Sequence, residues 1–230
     1  MKLINVIILI MSMTLASFAA WDGKTIKQPS IKAIDGRQYY AIGTPEELAW
    51  FANEVNSGDS VINAILIDDI DLNMQFWKPI GYSESIAYDG IFDGNGHCVF
   101  GFNVSGYMYA GFFGVLDAGC IKNLTIGKSS IQGYYKKTVA NSGTYESFIG
   151  GLVAYAKPAS RIENSINKLN IVAPSELSNV NKDDEFILYM GGIAGLMTGF
   201  IKDCVNTGNV ISSSANIRYV SKSYLGGDCR

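Results

Sequence analysis

The sequence predicts an all-β solenoid, a parallel β-helix preceded by a short cap that contains one helix. Glycine-led units recur at an interval of about 40 residues, with their second residues at Gly111, Gly151, Gly192 and Gly227. An Ile-x-Asn or Ile-x-Asp marker keeps the same interval and begins at positions 121, 162 and 201. Short apolar segments separated by Gly, Asn and Asp turns fill each repeat, and such units bury their apolar faces by stacking on their neighbours.

The N-terminus is typical of a secretory signal peptide that spans residues 1–19. Lys2 precedes an apolar stretch, and Ser17-Phe18-Ala19 is a small-x-small site suited to cleavage before Ala20. An uncleaved membrane anchor is the alternative, which polar residues within the stretch disfavour. We therefore expect a secreted or cell-surface protein, with no membrane insertion after the signal is cleaved.

The charge balance argues against two classes of partner. The chain has 18 basic and 21 acidic residues, which gives a formal net charge of −3, and signal cleavage removes one of the bases, Lys2. Nucleic acids and anionic membranes attract proteins that carry an excess of basic charge. We therefore expect neither a nucleic-acid partner nor binding to an anionic membrane.

Residues 20–60 are predicted to form the cap. Thr44 is the expected N-cap of a helix, Pro45 is its first residue, and Glu47 completes a capping box. One apolar stripe then faces the core, formed by Leu48, Phe51, Ala52 and Val55. A helix in this place covers the open end of a stack, whose unpaired strand edge would otherwise promote aggregation.

Residues 61–230 are predicted to form the β-helix repeats, of which the last is incomplete. Residues alternate between apolar and polar at the start of this region, which places Ile70 and Leu72 on one face. Each later repeat is predicted to contain three strands: one after the glycine pair, one at the Ile-x-Asn marker, and one that ends at Ile126, Ile171 or Ile211.

Parallel stacking of these repeats places equivalent residues in ladders. Asn123, Asn164 and Asp203 occupy the same position of the marker. Neighbouring strands lie about 4.8 Å apart in such a stack, a distance that side-chain amides can bridge. We therefore expect Asn123 and Asn164 to bond to each other along the stack.

Two of the glycine-led units resemble the GLUG motif of bacterial secreted and surface proteins: Gly151-Leu152-Val153-Ala154-Tyr155-Ala156 and Gly192-Ile193-Ala194-Gly195. The upstream segments Trp77-Lys78-Pro79-Ile80-Gly81 and Phe92-Asp93-Gly94-Asn95-Gly96-His97 are similar to the region that precedes such repeats. The resemblance covers residues 35–227 and implies a right-handed parallel β-helix in a cell-surface or extracellular setting. It implies no reaction, because the motif is structural and occurs in adhesin-like proteins as well as beside protease domains. The final pair, Gly226-Gly227, departs from the pattern, since no apolar strand follows it.

Cys98, Cys120, Cys204 and Cys229 have two interpretations in an exported chain. They allow three disulfide pairings. Buried free thiols are favoured, because Cys120 and Cys204 lie beside the apolar repeat markers and cysteine acts as a small apolar filler. No CxxC or Cys/His cluster indicates a metal, and we expect no cofactor.

A calcium loop is the first function that the acidic residues suggest. Asp69, Asp71 and Asn73 place oxygen ligands at alternate positions, as such a loop begins. Met74 then stands where the loop needs glycine, and Ile80 stands where it needs a bidentate carboxylate. A solvent-facing strand edge accounts for the acids better, although calcium bound between neighbouring coils stays an alternative.

Catalysis is the second function to weigh, because parallel β-helices host pectin-degrading enzymes that use clustered carboxylates. Asp68 and Asp69 are adjacent, and Asp89, Asp93 and His97 follow about one coil later. Adjacent carboxylates in a strand point to opposite faces, and no nucleophile motif accompanies them. We therefore assign no catalytic, cofactor-binding or metal residue and expect the protein not to be an enzyme.

An adhesin-like binding module without catalysis is the function that remains. Five tyrosines lie in loops or near turns, where exposed rings stack on sugars or anchor a protein: Tyr134, Tyr135, Tyr145, Tyr219 and Tyr224. The polar segments 129–146 and 174–185 are long, and loops on one side of a solenoid commonly carry recognition. We expect contact with a glycan or a surface protein through these loops. A polysaccharide lyase or hydrolase and a purely structural scaffold for a longer protein are the alternatives.

Overall fold

A computed structural model describes residues 20–137, 143–173 and 184–211, together with the backbone of residues 220–226. The predicted signal peptide at residues 1–19 lies outside these ranges, and so does the end of the last repeat. The described chain is mostly β, with parallel sheets and one short helix. No helix in these ranges combines the length and the apolar character that a membrane crossing requires.

The elements before the glycine-led units are β1 (Ser30–Ile34), β2 (Arg37–Ile42), α1 (Pro45–Asn56), β3 (Ala64–Leu66), β4 (Ile70–Phe76), β5 (Ile91–Asp93) and β6 (Cys98–Tyr107). The next set is β7 (Tyr109–Ala110), β8 (Phe113–Leu116), β9 (Cys120–Lys122), β10 (Thr125–Ile126), β11 (Ser130–Gly133) and β12 (Lys136–Lys137). It is followed by β13 (Thr144–Gly150), β14 (Val153–Ala156), β15 (Arg161–Glu163), β16 (Ile166–Asn167) and β17 (Ile171–Val172). The last set is β18 (Glu185–Gly191), β19 (Ala194–Met197), β20 (Phe200–Lys202), β21 (Val205–Asn206), β22 (Val210–Ile211) and β23 (Val220–Gly226).

The strands form four sheets. The first sheet has the order β1-β2-β3-β5-β9-β15-β20, and the second has the order β21-β16-β10-β6-β11-β17-β22 with β4 beside β6. The third sheet has the order β12-β13-β18-β23 with β7 beside β13, and the fourth has the order β19-β14-β8. Named strands pair in parallel except at β1–β2 and β12–β13.

The register between strands confirms the interval that the sequence predicts. Ile162 pairs with Ile121 on one side and with Ile201 on the other. Gly191 likewise pairs with Gly150 and with Gly226. The chain therefore visits the third, fourth, first and second sheets in turn before it returns to the third.

The prediction of three strands per repeat is wrong. The repeat from Thr144 to Val172 contains five strands, β13 to β17. The predicted pattern misses the strand before the glycine pair and treats β16 and β17 as one. Gly150 is the last residue of β13, and a side chain there would collide with the carbonyl oxygen of Val153 and lie 2.8 Å from the Gly195 nitrogen. The glycine therefore marks the bend between two sheets and not the start of a unit.

The marker residues Asn123, Asn164 and Asp203 lie at one sharp corner of the chain. Their φ angles are 53°, 47° and 52°, a left-handed conformation that Asn and Asp adopt more readily than other side chains. The predicted hydrogen bond between the side-chain amides of Asn123 and Asn164 is not formed. The Asn123 amide donates instead to Asp93 Oδ1 at 2.9 Å. Backbone conformation therefore accounts for the residue type at this corner.

An asparagine ladder forms at a different place, inside the second sheet. Asn167 is fully buried, and its Nδ2 donates to Asn206 Oδ1 at 2.8 Å and to the Leu169 carbonyl at 2.9 Å. A buried amide is tolerated when its polar atoms are paired, and these two bonds provide that pairing. The ladder therefore fixes the register of β16 on β21.

The predicted helix is confirmed. Thr44 Oγ1 accepts a hydrogen bond from the Glu47 nitrogen at 3.3 Å, as an N-cap does. Glu47 Oε2 accepts from the Gly43 nitrogen at 2.9 Å, one residue before the N-cap nitrogen that a capping box uses. The predicted apolar stripe is buried: Leu48, Phe51, Ala52 and Val55.

An aromatic cluster fills the core beneath this helix. The Phe92 ring lies 5.7 Å from Phe51 and 5.2 Å from Phe113, and Phe112 lies 5.1 Å from Phe113. Trp77 stacks on Phe112 at 5.4 Å and donates its indole N–H to the Phe112 carbonyl at 3.1 Å. Helix α1 is therefore joined to the sheets by large apolar contacts.

Cys98 and Cys120 are free thiols. Cys120 and Cys204 are buried, and Cys98 is half-buried. Burial raises the pKa of both Cys98 and Cys120, which suppresses the reactive thiolate. Cys229 lies outside the described residues.

Candidate functional site

A ladder of aromatic rings covers the outer face where the third and fourth sheets meet. Phe148 of β13 pairs in register with Tyr109 of β7 and with Tyr189 of β18. The Phe148 ring lies 4.9 Å from Tyr109 and 4.7 Å from Tyr189, close to the spacing of paired strands. Tyr155 of β14 adds a fourth ring 5.6 Å from Phe148. We call these four residues the outer ladder.

The alternation of side chains along β13 explains why the ladder faces outward. Ile149 belongs to the main core, whereas Phe148 belongs to a separate cluster together with Val115 and Ala154. Successive side chains of a strand point to opposite faces, so Phe148 projects away from the main core. The outer ladder therefore has its own apolar floor.

The rings differ in how far they are covered. Tyr109 is 8% exposed and Phe148 is 5% exposed, while Tyr155 and Tyr189 are only half-buried. A ligand that approaches the outer ladder would therefore meet Tyr155 and Tyr189 first. The other two rings support them.

Charged side chains lie at the Tyr109 end of the outer ladder. Tyr109 donates its hydroxyl to Glu84 Oε1 at 2.7 Å, and the second oxygen of Glu84 lies 3.6 Å from Lys157 Nζ. Lys157 also lies 3.2 Å from Asp117 Oδ2. This chain of contacts provides hydrogen-bond acceptors and one donor group beside the rings.

Three pKa shifts describe the electrostatics of this site. Burial and the hydrogen bond to Glu84 raise the pKa of Tyr109, so its hydroxyl stays protonated and keeps donating. Burial alone would lower the pKa of Lys157, but the carboxylates of Asp117 and Glu84 raise it, so the ammonium stays charged. Burial, followed by the proximity of Asp117, raises the pKa of Asp89.

Glu146 tests this electrostatic description. Burial, together with the nearby Glu84 and Glu185, raises its pKa above the usual value. The charged form therefore destabilises the fold at neutral pH, and this penalty disappears once pH falls below the pKa of the unfolded chain. Glu146→Gln is expected to raise the melting temperature at pH 7 and to have little effect near pH 3.5. The gain in the free energy of unfolding at pH 7 should be less than about 1 kcal/mol, because the site is half-exposed.

Thermal melts at the two pH values check this prediction. Glu163→Gln is the control, because Glu163 lies 3.5 Å from Arg161 and its replacement removes a favourable contact. A stabilisation by Glu146→Gln that is equally large at both pH values would contradict the electrostatic description.

The acidic residues considered from the sequence do not form one cluster. Asp69 lies 3.3 Å from His97 Nδ1 and accepts from the Cys98 nitrogen at 2.8 Å. Asp93 lies 3.1 Å from Lys122 Nζ and accepts from Asn123. These contacts are structural. Within the described ranges no group of three or more His, Cys, Asp or Glu side chains could hold a metal ion.

The acids next to Asp69 each accept a hydrogen bond from a nearby backbone nitrogen. Asp68 Oδ1 accepts from the Asp69 nitrogen at 2.8 Å, and Asp71 Oδ1 accepts from the Asn73 nitrogen at 2.8 Å. Asp69 and Asp71 are exposed on β4 and its approach, while Ile70 and Leu72 are buried, which confirms the alternation expected there.

The expectation of exposed loop tyrosines is confirmed for Tyr134 and wrong for Tyr135. Tyr134 is 48% exposed, whereas Tyr135 is 4% exposed and packs its ring 5.4 Å from Phe186. Tyr145 belongs to β13 and stacks on the same Phe186 at 5.0 Å. Tyr219 and residues 138–142 and 174–183 of the predicted loops lie outside the described residues.

The sequence expectation concerns exposed tyrosines in loops, whereas the outer ladder lies on strands and two of its rings, Tyr109 and Phe148, are buried. The available signal is positional: an aromatic residue stands two places before the first glycine of each bend. Tyr109, Phe148, Tyr189 and Tyr224 precede Gly111, Gly150, Gly191 and Gly226 in this way. The backbone of β23 places Tyr224 in register with Tyr189.

Comparisons with known proteins identify one distant structural neighbour. Neither the family models nor the curated proteins contain a match to this chain, so the resemblance to GLUG-motif proteins stays a prediction. A crystal structure of a putative immunoglobulin A1 protease from Bacteroides ovatus aligns with a TM-score of 0.40 and 17% sequence identity. The alignment covers 82% of this chain and 84% of that chain. A similarity this distant assigns no activity to the chain.

Proposed function

We propose that this protein is a right-handed parallel β-helix that acts outside the cell as an adhesin-like binding module without catalysis, and that it binds neutral glycans at the outer ladder. One observation carries the proposal: Tyr155 and Tyr189 present half-exposed rings against Phe148, and Glu84 and Lys157 lie at the Tyr109 end of the same ladder. Aromatic faces that lie next to hydrogen-bonding groups suit ligands with one apolar and one polar side.

The parallel pairing of equivalent residues supports the β-helix. Successive passes through the four sheets stack in register, as Ile121, Ile162 and Ile201 do. Connections between parallel strands of one sheet are right-handed in nearly all proteins. A stack of this kind supplies a rigid surface on which a ladder of rings is preorganised.

The chemistry of the site favours a neutral glycan. The C–H face of a sugar ring can pack on Tyr155 and Tyr189, while its hydroxyl groups donate to the carboxylates and accept from Lys157. Glu84, Asp117 and Glu146 give the surroundings a negative balance, which repels an anionic ligand. A neutral oligosaccharide therefore suits the outer ladder better than an acidic one.

The absence of catalysis is supported by how the acids are used. Asp69 and Asp93 each accept hydrogen bonds that hold neighbouring strands or turns in place. A screen for lyase and hydrolase turnover on purified protein tests this part. Turnover that is lost in Asp89→Asn or Asp93→Asn would contradict the proposal of a module without catalysis.

A glycan array tests the binding proposal. Wild-type protein is expected to bind at least one class of neutral glycan, and the double variant Tyr155→Ala, Tyr189→Ala is expected to lose at least about tenfold in affinity, since exposed aromatic anchors dominate such contacts. Tyr134→Ala is the control, because Tyr134 is an exposed tyrosine outside the outer ladder. Binding that depends on Tyr134 and not on Tyr155 and Tyr189 would contradict a site at the outer ladder and would place the binding site in the loops.

A further inference from the structure

A cavity separate from the outer ladder lies between the first described segment, helix α1 and the end of β4. Its volume is about 290 Å³, at the lower end of the range for pockets that hold small molecules. Its lining includes Lys24, Ile26, Asn53, Ser57, Phe76 and Lys78. We call it the cap cavity.

The segment that forms one side of the cap cavity is held in a fixed shape. Asp22 Oδ1 accepts from the nitrogens of Lys24 and Thr25 at 2.8 Å and 2.7 Å, and Oδ2 accepts from the Thr25 hydroxyl at 2.8 Å. These bonds lower the pKa of Asp22 to about 2. Gly23 has a φ of +78°, and a side chain there would lie 2.9 Å from the amide oxygen of Gln75. The turn therefore needs both residues and positions Lys24 beside the cavity.

The cap cavity has one apolar wall and one polar wall. Phe76 is 54% exposed and Ile26 is 49% exposed, although both are large apolar side chains. The helix contributes Asn53 and its C-cap contributes Ser57, and both residues are exposed and polar. Exposed apolar groups that face polar groups across a cavity suit a sugar ring, which has C–H groups on its faces and hydroxyl groups on its rim.

The charge of the cap cavity is opposite to that of the whole protein. The chain has a net charge of −3, yet the charged residues that line the cavity are Lys24 and Lys78, and none of its described lining residues carries a carboxylate. Lys78 Nζ lies 3.6 Å from the centre of the Tyr82 ring, a cation–π contact that leaves the positive charge on the ammonium. The cavity therefore attracts an anion.

We propose that the cap cavity binds a sugar that carries a carboxylate, with the ring against Phe76 and Ile26 and the carboxylate between Lys24 and Lys78. This inference does not rest on the proposed function, since it concerns other residues and a ligand of opposite preference. The outer ladder is expected to reject the acidic sugar that the cap cavity accepts.

The test compares two probes that differ only in the carboxylate, D-galacturonate and D-galactose, by ligand-observed NMR titration of the purified protein. Galacturonate is expected to bind at least about tenfold more tightly, the effect of one charge-assisted hydrogen bond. Raising the salt concentration from about 0.1 M to about 1 M shortens the screening length from about 10 Å to about 3 Å and should weaken this binding. Equal binding of the two sugars, or binding that salt does not change, would overturn the proposal.

Variants locate the binding. The double variant Lys24→Gln, Lys78→Gln and the single variant Phe76→Ser are each expected to weaken galacturonate binding at least about tenfold. Lys32→Gln, an exposed lysine on β1, is the matched control and should bind as wild type does. The Tyr155→Ala, Tyr189→Ala variant should also bind galacturonate normally, which separates this site from the outer ladder. Galacturonate binding that survives both cap-cavity variants would exclude the cap cavity as its site.

Discussion

Gly150→Ala is expected to destabilise the protein by at least about 3 kcal/mol. Gly150 ends β13 at the bend between the third and fourth sheets. A methyl group there would overlap the carbonyl oxygen of Val153 and lie 2.8 Å from the nitrogen of Gly195 on β19, in the next repeat. Both obstacles are main-chain atoms within paired strands, so neither can move without loss of hydrogen bonds. Urea denaturation with linear extrapolation measures the change.

Gly106→Ala is the matched control for this substitution. Gly106 has a φ of +80° and no atom within 4 Å of the position that a side chain would take. Its replacement costs only the backbone strain of the left-handed region, about 1–2 kcal/mol. A Gly150→Ala variant that lowers the free energy of unfolding no more than Gly106→Ala does would contradict the close main-chain contact described at the bend.

Phe51→Ala is expected to cost about 3–5 kcal/mol, because it leaves a cavity where helix α1 meets the sheets. The Phe51 ring is fully buried and lies 5.8 Å from Tyr88 and 5.7 Å from Phe92. The loss should appear as a lower denaturation midpoint with an unchanged slope, since the helix and sheets unfold together.

Trp50→Ala on the same helix is the control for Phe51→Ala. Trp50 is half-buried and contacts Tyr40 at a ring distance of 4.9 Å, so its removal should cost about 1 kcal/mol. Equal effects of the two substitutions would mean that α1 packs through a different face. A separate early transition in Phe51→Ala would mean that the cap unfolds independently of the sheets.

The parts of the fold that were predictable from sequence depend on local rules. The register of the first sheet follows from the recurrence of Ile121, Ile162 and Ile201. The helix follows from a cap and a stripe that lie within a dozen residues. Each of these signals is complete within one repeat or one turn of chain.

The parts that were missed depend on which sheet a strand joins. Strand β13 has Phe148 on one face and Ile149 on the other, and both are buried, so it lacks the alternation that identifies a half-exposed strand. The outer ladder was not predicted for the same reason. The sequence alone does not show whether an aromatic residue of such a strand faces the main core or the outer surface. Tyr135 shows the opposite case. Its polar segment predicts an exposed ring, but the ring packs against Phe186, which is distant in sequence.

The most direct test of the central claim is a crystal structure of the protein with the neutral oligosaccharide that binds most tightly on the glycan array. We predict four parallel sheets stacked in register and a sugar ring packed against Tyr155 and Tyr189, with a hydroxyl group bonded to Glu84 or Lys157. A sugar bound elsewhere while the outer ladder stays unoccupied at saturating concentration would contradict the account.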